Sequence, residues 1–204
     1  VLLDGPSDAR TTLVLAHGAG TPMDAPFLET VARELASRGV RVARFEFPYM
    51  AKRREEGRRG PLDHRPVLLA AWRDVVRELG GGPRLVIGGK SLGGRMASLL
   101  ADEIGARGLV CLGYPFHPPK QPERLRTAHL EGIRTPTLIV QGTRDAYGTP
   151  EDVAAYRLSQ TIRVVWIEDG DHDLRARARS GRSQAGNLGE AIDAVGRFLA
   201  ELEG

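Results

Sequence analysis

The sequence predicts an α/β protein: a three-layer α/β/α sandwich built on a mostly parallel sheet. Three observations lead there. Strand-sized apolar runs alternate with segments of helical periodicity along the chain. The apolar runs are nearly continuous, as expected of strands covered on both faces. Finally, the residues best suited to chemistry fall just past the ends of these runs, where open parallel sheets gather their ligand sites.

Taken in order, Thr12–Ala16 is the first such run and ends in His17-Gly18-Ala19-Gly20. Phe27, Val31 and Leu35 then recur at helical spacing, and Val40–Phe45 forms the next strand. The charged stretch Lys52–Arg59 reads as a solvated loop. Leu68, Trp72, Val75, Val76 and Leu79 mark a helix face that packs into the core, Trp72 included. Leu85–Gly88 is the third strand, and Leu92, Met96, Leu99 and Leu100 continue it into a helix. Leu109–Leu112, Thr137–Gln141 and Arg163–Ile167 supply three more strands, and Leu188, Ile192, Val195 and Leu199 a closing helix.

A chain of 204 residues with 41% hydrophobic content buries an ordinary core, so one domain over 1–204 is expected. No apolar stretch approaches bilayer length and no signal-peptide pattern opens the chain, which predicts a cytoplasmic protein with no membrane partner. The formal charge of +3 is too small to imply nucleic-acid binding: acids interrupt the basic run and no aromatics interleave to stack bases. Cys111 is the only cysteine, which excludes an internal disulfide. Within Leu109-Val110-Cys111-Leu112 it reads as a small buried apolar side chain. Asp171-His172-Asp173 makes a weak metal site without a partner motif, so no metal and no cofactor are expected.

Gly89-Lys90-Ser91-Leu92-Gly93 joins the third strand to its helix and reads as a nucleophile elbow. A serine on so sharp a turn is strained, and small residues two positions to either side let strand and helix approach. A phosphate-binding loop fails because Arg84 stands where it needs glycine and Leu85-Val86-Ile87 is strand-like. A dinucleotide fingerprint at Gly18-Ala19-Gly20 fails at Met23. The remaining alternative is a glycine-rich turn that only packs.

Asp145 and His172 each follow a strand, so parallel strands would deliver both to the edge that carries Ser91. Serine is a poor nucleophile alone; histidine takes its proton, and a carboxylate fixes the imidazole tautomer and stabilises the imidazolium. Asp169, Asp171 and Asp173 are nearer in sequence but better suited to capping their own turn. Leu92 and Ala19 are the candidate N–H donors to a developing oxyanion. His17 is expected to brace its loop. Gly18 and Lys90 flank the centre as candidate substrate contacts, Lys90 either holding a substrate carboxylate or pointing into a salt bridge. The arginines at 175, 177 and 179 are placed to border the pocket and favour an anionic substrate.

Over about Thr11 to Leu202 the chain resembles the α/β-hydrolase superfamily. The likeness is carried by His17-Gly18-Ala19-Gly20, Gly88-Gly89-Lys90-Ser91-Leu92-Gly93-Gly94-Arg95, Leu112-Gly113-Tyr114-Pro115-Phe116-His117 and Gln141-Gly142-Thr143-Arg144-Asp145. It points to the small lidless branch related to dienelactone hydrolases, which includes the hydrolase-like domain of a chromatin acetyltransferase-complex subunit. The resemblance implies a minimal α/β-hydrolase fold without a cap domain, with Ser91 as nucleophile, Asp145 as acid and His172 as base. Dienelactone hydrolases proper carry cysteine where this chain has Ser91, so their particular substrate is not implied.

The segment from Tyr114 to about Arg134, where larger relatives insert a cap, is too short and proline-rich for one. A shallow, open pocket follows, with Tyr114 and Phe116 as candidate walls and His117 at its edge. The expected activity is hydrolysis of an ester, thioester or related acyl bond of a small substrate through an acyl-enzyme. An interaction module that has lost catalysis and an acyltransferase are the alternatives.

Overall fold

Residues 1–58 and 60–204 are described by the computed structural model. Its seven strands are β1 (Leu2–Asp4), β2 (Thr12–Ala16), β3 (Arg41–Phe45), β4 (Leu85–Lys90), β5 (Gly108–Leu112), β6 (Thr137–Gly142) and β7 (Ile162–Ile167). They form one sheet in the order β1-β3-β2-β4-β5-β6-β7. Every neighbouring pair is parallel except β1 with β3. The helices are α1 (Pro26–Ser37), α2 (Pro48–Glu56), α3 (Arg65–Glu78), α4 (Leu92–Ser98), α5 (Pro150–Ala154) and α6 (Gln184–Glu203).

Side-chain alternation along the strands divides the core into two layers. Val14, Ile87, Leu109 and Ile139 face Trp72 of α3 and Met96 of α4. Their neighbours Leu13, Leu15, Val86, Val110, Leu138 and Val140 face the opposite way, onto Leu28, Val31 and Leu35 of α1 and Ile192, Val195 and Phe198 of α6. β4, β5 and β6 are buried at every residue, which is why they read as continuous apolar runs. Proline stands in the first turn of α1, α2, α3 and α5, where its missing N–H leaves no helical bond unmade.

The structure departs from the sequence expectation at three short elements. The stretch expected to be a loop from Lys52 is helical as far as Glu56; Arg59, its last residue, lies outside the described residues. Tyr49 and Met50 anchor α2 in the core, Arg54 reaches both Asp24 and Glu46, and Gly57 ends the helix in the left-handed region at φ 65°. β1 is a three-residue edge strand with both leucines exposed. α5 is a single turn begun by a reciprocal Thr149–Asp152 capping box.

Residues 113–136, between β5 and β6, contain one turn of 3-10 helix at Ala128–Leu130 and no cap domain. Among the described residues no helix is long and apolar enough to cross a membrane.

Candidate active site

β4 runs into α4 through Ser91, held at φ 50° and ψ −108°. Such a backbone costs a non-glycine residue about 1–3 kcal/mol, so the surroundings must impose it. The Ser91 N–H donates to the Leu112 carbonyl at 3.0 Å, tying the turn to the end of β5. A Cβ at Gly89 or at Gly93 would overlap the Ala16 carbonyl oxygen, so both glycines are required by the approach of the elbow to β2. Leu92 and Ala19 donate their N–H groups to no acceptor among the described residues. Both are therefore free to meet a developing oxyanion.

Asp145 leaves the end of β6 and His172 the loop after β7, and the sheet brings both to Ser91. His172 Nε2 lies 2.9 Å from Ser91 Oγ, and Nδ1 lies 2.7 Å from Asp145 Oδ2. Facing a carboxylate, Nδ1 carries the ring proton, which leaves the Nε2 lone pair toward the serine hydroxyl. Asp145 is fully buried. Its Oδ2 also accepts from Gln141 Nε2 at 2.9 Å and its Oδ1 from the Tyr147 N–H at 2.9 Å. The Tyr147 ring lies against the imidazole, centroids 4.3 Å apart.

Two of the neighbouring aspartates serve the loop. Asp171 Oδ1 accepts from the N–H groups of Asp173 and Arg175. Asp169 accepts from the Arg177 backbone and guanidinium, each at 2.6 Å, which holds its carboxyl down at about 2. Arg177 is thereby engaged with protein, while Arg175 remains exposed and borders a cleft described below. Among the described residues no three His, Cys, Asp or Glu side chains gather as metal ligands.

His17 braces two loops: Nδ1 faces the Gly18 carbonyl at 2.6 Å, and Nε2 accepts from the Phe47 N–H at 3.1 Å. Burial lowers its proton affinity, so the ring stays neutral. Gly18 is buried beside the Lys90 stem and presents no side chain to a ligand. Lys90 is buried but for a small part of its side chain. Its Nζ donates to the His172 carbonyl at 2.7 Å and lies 3.4 Å from Asp173. Burial pulls its ammonium below the ordinary lysine value, with Asp173 opposing.

Tyr114 and Phe116 are corrected: they line no open pocket but are fully buried in the layer under α3 and α4. Gln141 Oε1 accepts the Tyr114 N–H at 2.7 Å, Gln141 Nε2 donates to the Tyr114 carbonyl at 3.1 Å, and the Tyr114 hydroxyl donates to the Arg126 carbonyl at 2.9 Å. The loop therefore folds over its own aromatics. His117 is likewise buried, with Nδ1 against the Pro118 carbonyl at 2.9 Å. Cys111 is buried, and burial pushes its thiol far up. A second serine–histidine contact, Ser98 Oγ to His129 Nε2 at 2.8 Å, has no carboxylate behind the ring among the described residues, and Ser98 is buried within α4.

Gln141 and Tyr147 are the site residues that sequence reasoning missed. Tyr147 stands two positions past Asp145, and the spacing alone was the available signal. Gln141 is a buried amide at the end of an apolar strand, a residue that must find partners there.

A mostly parallel sheet, a strained serine at a strand-to-helix turn and a loop-borne histidine at its hydroxyl define an α/β hydrolase of the lidless kind. A sequence model of the alpha/beta hydrolase domain family matches residues 9–200, and the chain belongs to that family. Its fold is shared with an alpha-beta serine hydrolase homologue from Coxiella burnetii, at TM-score 0.74 and 20% identity over 97% of this chain and 90% of that one. An α/β serine hydrolase without lid from Xanthomonas campestris superposes at 0.65, with 21% identity over 96% and 87% of the two chains. The dienelactone hydrolase of Anabaena variabilis superposes at 0.73, with 21% identity over 98% and 89%.

Proposed function

We propose that the protein is a serine hydrolase that cleaves an ester, thioester or related acyl bond of a small substrate. The observation that carries this reading is the unbroken relay from the Ser91 hydroxyl through both nitrogens of His172 to the buried Asp145 carboxylate.

In the first half-reaction, Ser91 Oγ attacks the acyl carbon while His172 Nε2 takes its proton. Negative charge gathers on the carbonyl oxygen and is met by the N–H groups of Leu92 and Ala19. The imidazolium, stabilised by Asp145, gives its proton to the leaving alcohol or thiol, and the acyl group stays on serine. In the second half, His172 draws a proton from water, the hydroxide adds to the acyl-enzyme, and Ser91 recovers its proton as the acid departs. All proton transfers run through one nitrogen, and Asp145 remains ionised throughout.

The test is a series of p-nitrophenyl esters and acyl thioesters of increasing chain length. Ser91→Ala and His172→Ala are each expected to lower kcat by about 10³-fold or more, since the relay acts as a unit. A folded wild type that hydrolyses no member of the series and takes up no serine-directed phosphonate probe would refute the proposal.

A further inference from the structure

Lys90 raises a question that the acyl-transfer chemistry leaves open, because its ammonium is buried yet incompletely paired. The side chain is only 7% exposed. Of its three protons, one goes to the His172 carbonyl at 2.7 Å and one faces Asp173 at a loose 3.4 Å, that carboxylate being half exposed. The third has no acceptor among the described residues, and the ammonium lies 5.7 Å from the centroid of the Phe27 ring.

This ammonium borders a cleft of about 660 Å³ between α1 and α6, within the size range of small-molecule sites. Phe27 and Leu28 of α1 and Leu188 and Ile192 of α6 line it, with Leu28 and Ile192 presenting only a sliver of their surface from the core. Arg175 stands on the rim, exposed and with no carboxylate partner among the described residues. An apolar trough that reaches a desolvated cation matches a hydrocarbon with one acidic end. A neutral lipid would leave the ammonium as it is, and a dianion would meet Asp173 and Glu34, which border the same cleft. A single carboxylate answers the free proton of Lys90, and the exposed Arg175 on the rim adds to the positive field that draws it in.

We propose that the cleft between α1 and α6 binds an amphipathic carboxylate, its acid group at Lys90 and Arg175 and its hydrocarbon between the two helices. The cleft's lining includes neither Ser91 nor His172. Lys90 nevertheless adjoins Ser91 in the chain and holds the His172 carbonyl, so binding is measured without turnover in the Ser91→Ala variant.

Gly189 provides a clean probe of this site. It lines the cleft from within α6, and a Cβ added there meets nothing within 4 Å, so a larger side chain starts into open space at the cleft's edge. The experiment is calorimetric titration of the protein and its Ser91→Ala variant with octanoate, octan-1-ol and acetate. Both proteins are expected to bind octanoate saturably and with equal affinity, octan-1-ol about tenfold or more weakly, and acetate not at all. Lys90→Gln and, independently, Gly189→Leu are each expected to weaken octanoate about tenfold or more. No saturable octanoate binding, equal binding of octan-1-ol, or unchanged affinity in a folded Gly189→Leu would overturn the assignment. Octanoate binding by a protein that hydrolyses nothing would uphold the cleft while the hydrolase reading fell.

Discussion

At the scale of single residues, Gln141 shows how a site depends on an amide that never meets substrate. It holds Asp145 Oδ2 with one side of its carboxamide and the Tyr114 backbone with both. The carboxylate that orients His172 is thus fixed from below by the strand that carries it. Gln141→Leu keeps the volume and removes the donor. We expect kcat to fall about tenfold or more with KM little changed, and unfolding free energy to fall by about 1–3 kcal/mol, because a buried acceptor loses its partner. Steady-state kinetics beside urea denaturation checks both; a proportional rise in KM instead would assign Gln141 to substrate binding. The convergence of Ser91, Asp145 and His172 was legible in the sequence because each follows a strand and parallel strands share an outlet. Tyr114 and Phe116 were misread because no linear pattern distinguishes a loop aromatic that lines a pocket from one its own loop buries.

At the scale of elements, strands and long helices were readable because burial on both faces or on one stripe leaves a periodic trace. β1, α2 and α5 left none, for physical reasons. β1 is held by backbone pairing to β3, and its two adjacent leucines are exposed and too few to show a period. α2 buries only Tyr49 and Met50 and is charged from Lys52 to its end, and α5 rests on its cap and a single buried valine. Two glycines test how far element context controls a substitution. A Cβ at Gly57 or at Gly189 enters open space, so contacts are the same in both. Gly57 has φ 65° at the end of α2, whereas Gly189 sits within helical α6. Gly57→Ala should destabilise by about 1 kcal/mol, and Gly189→Ala should stabilise by about 0.5–1 kcal/mol. Urea midpoints of like sign for the two variants would contradict the backbone argument.

At the scale of the whole molecule, acid sensitivity should appear well above the carboxylate range. Burial, helped by the Arg95 charge, lowers His129 from 6.5 to about 4, and burial lowers His17 in the same direction. The unfolded chain takes up protons at these rings as pH falls below 6.5, while the native state resists. Stability is therefore complete above about 6.5 and is lost progressively toward 4, with His129 contributing about 1–3 kcal/mol of the loss. Paired carboxylates such as Asp169 add their own loss only at lower pH. Urea midpoints measured from pH 7 to pH 4 should decline, and His129→Gln should flatten part of that decline; an unaltered slope would assign the effect elsewhere. The cleft between α1 and α6 was invisible in the sequence. Its walls come from residues more than 150 positions apart, and each helix face reads as ordinary core.

Gly89 and Gly93 abut the same main-chain atom, the oxygen of Ala16. Obstruction by a side chain can be relieved by trimming that side chain, but a carbonyl is common to all twenty amino acids. No compensating change at position 16 can therefore make room at 89 or 93. A library that randomises the three positions together should return only glycine at 89 and 93, whichever small residue stands at the buried position 16.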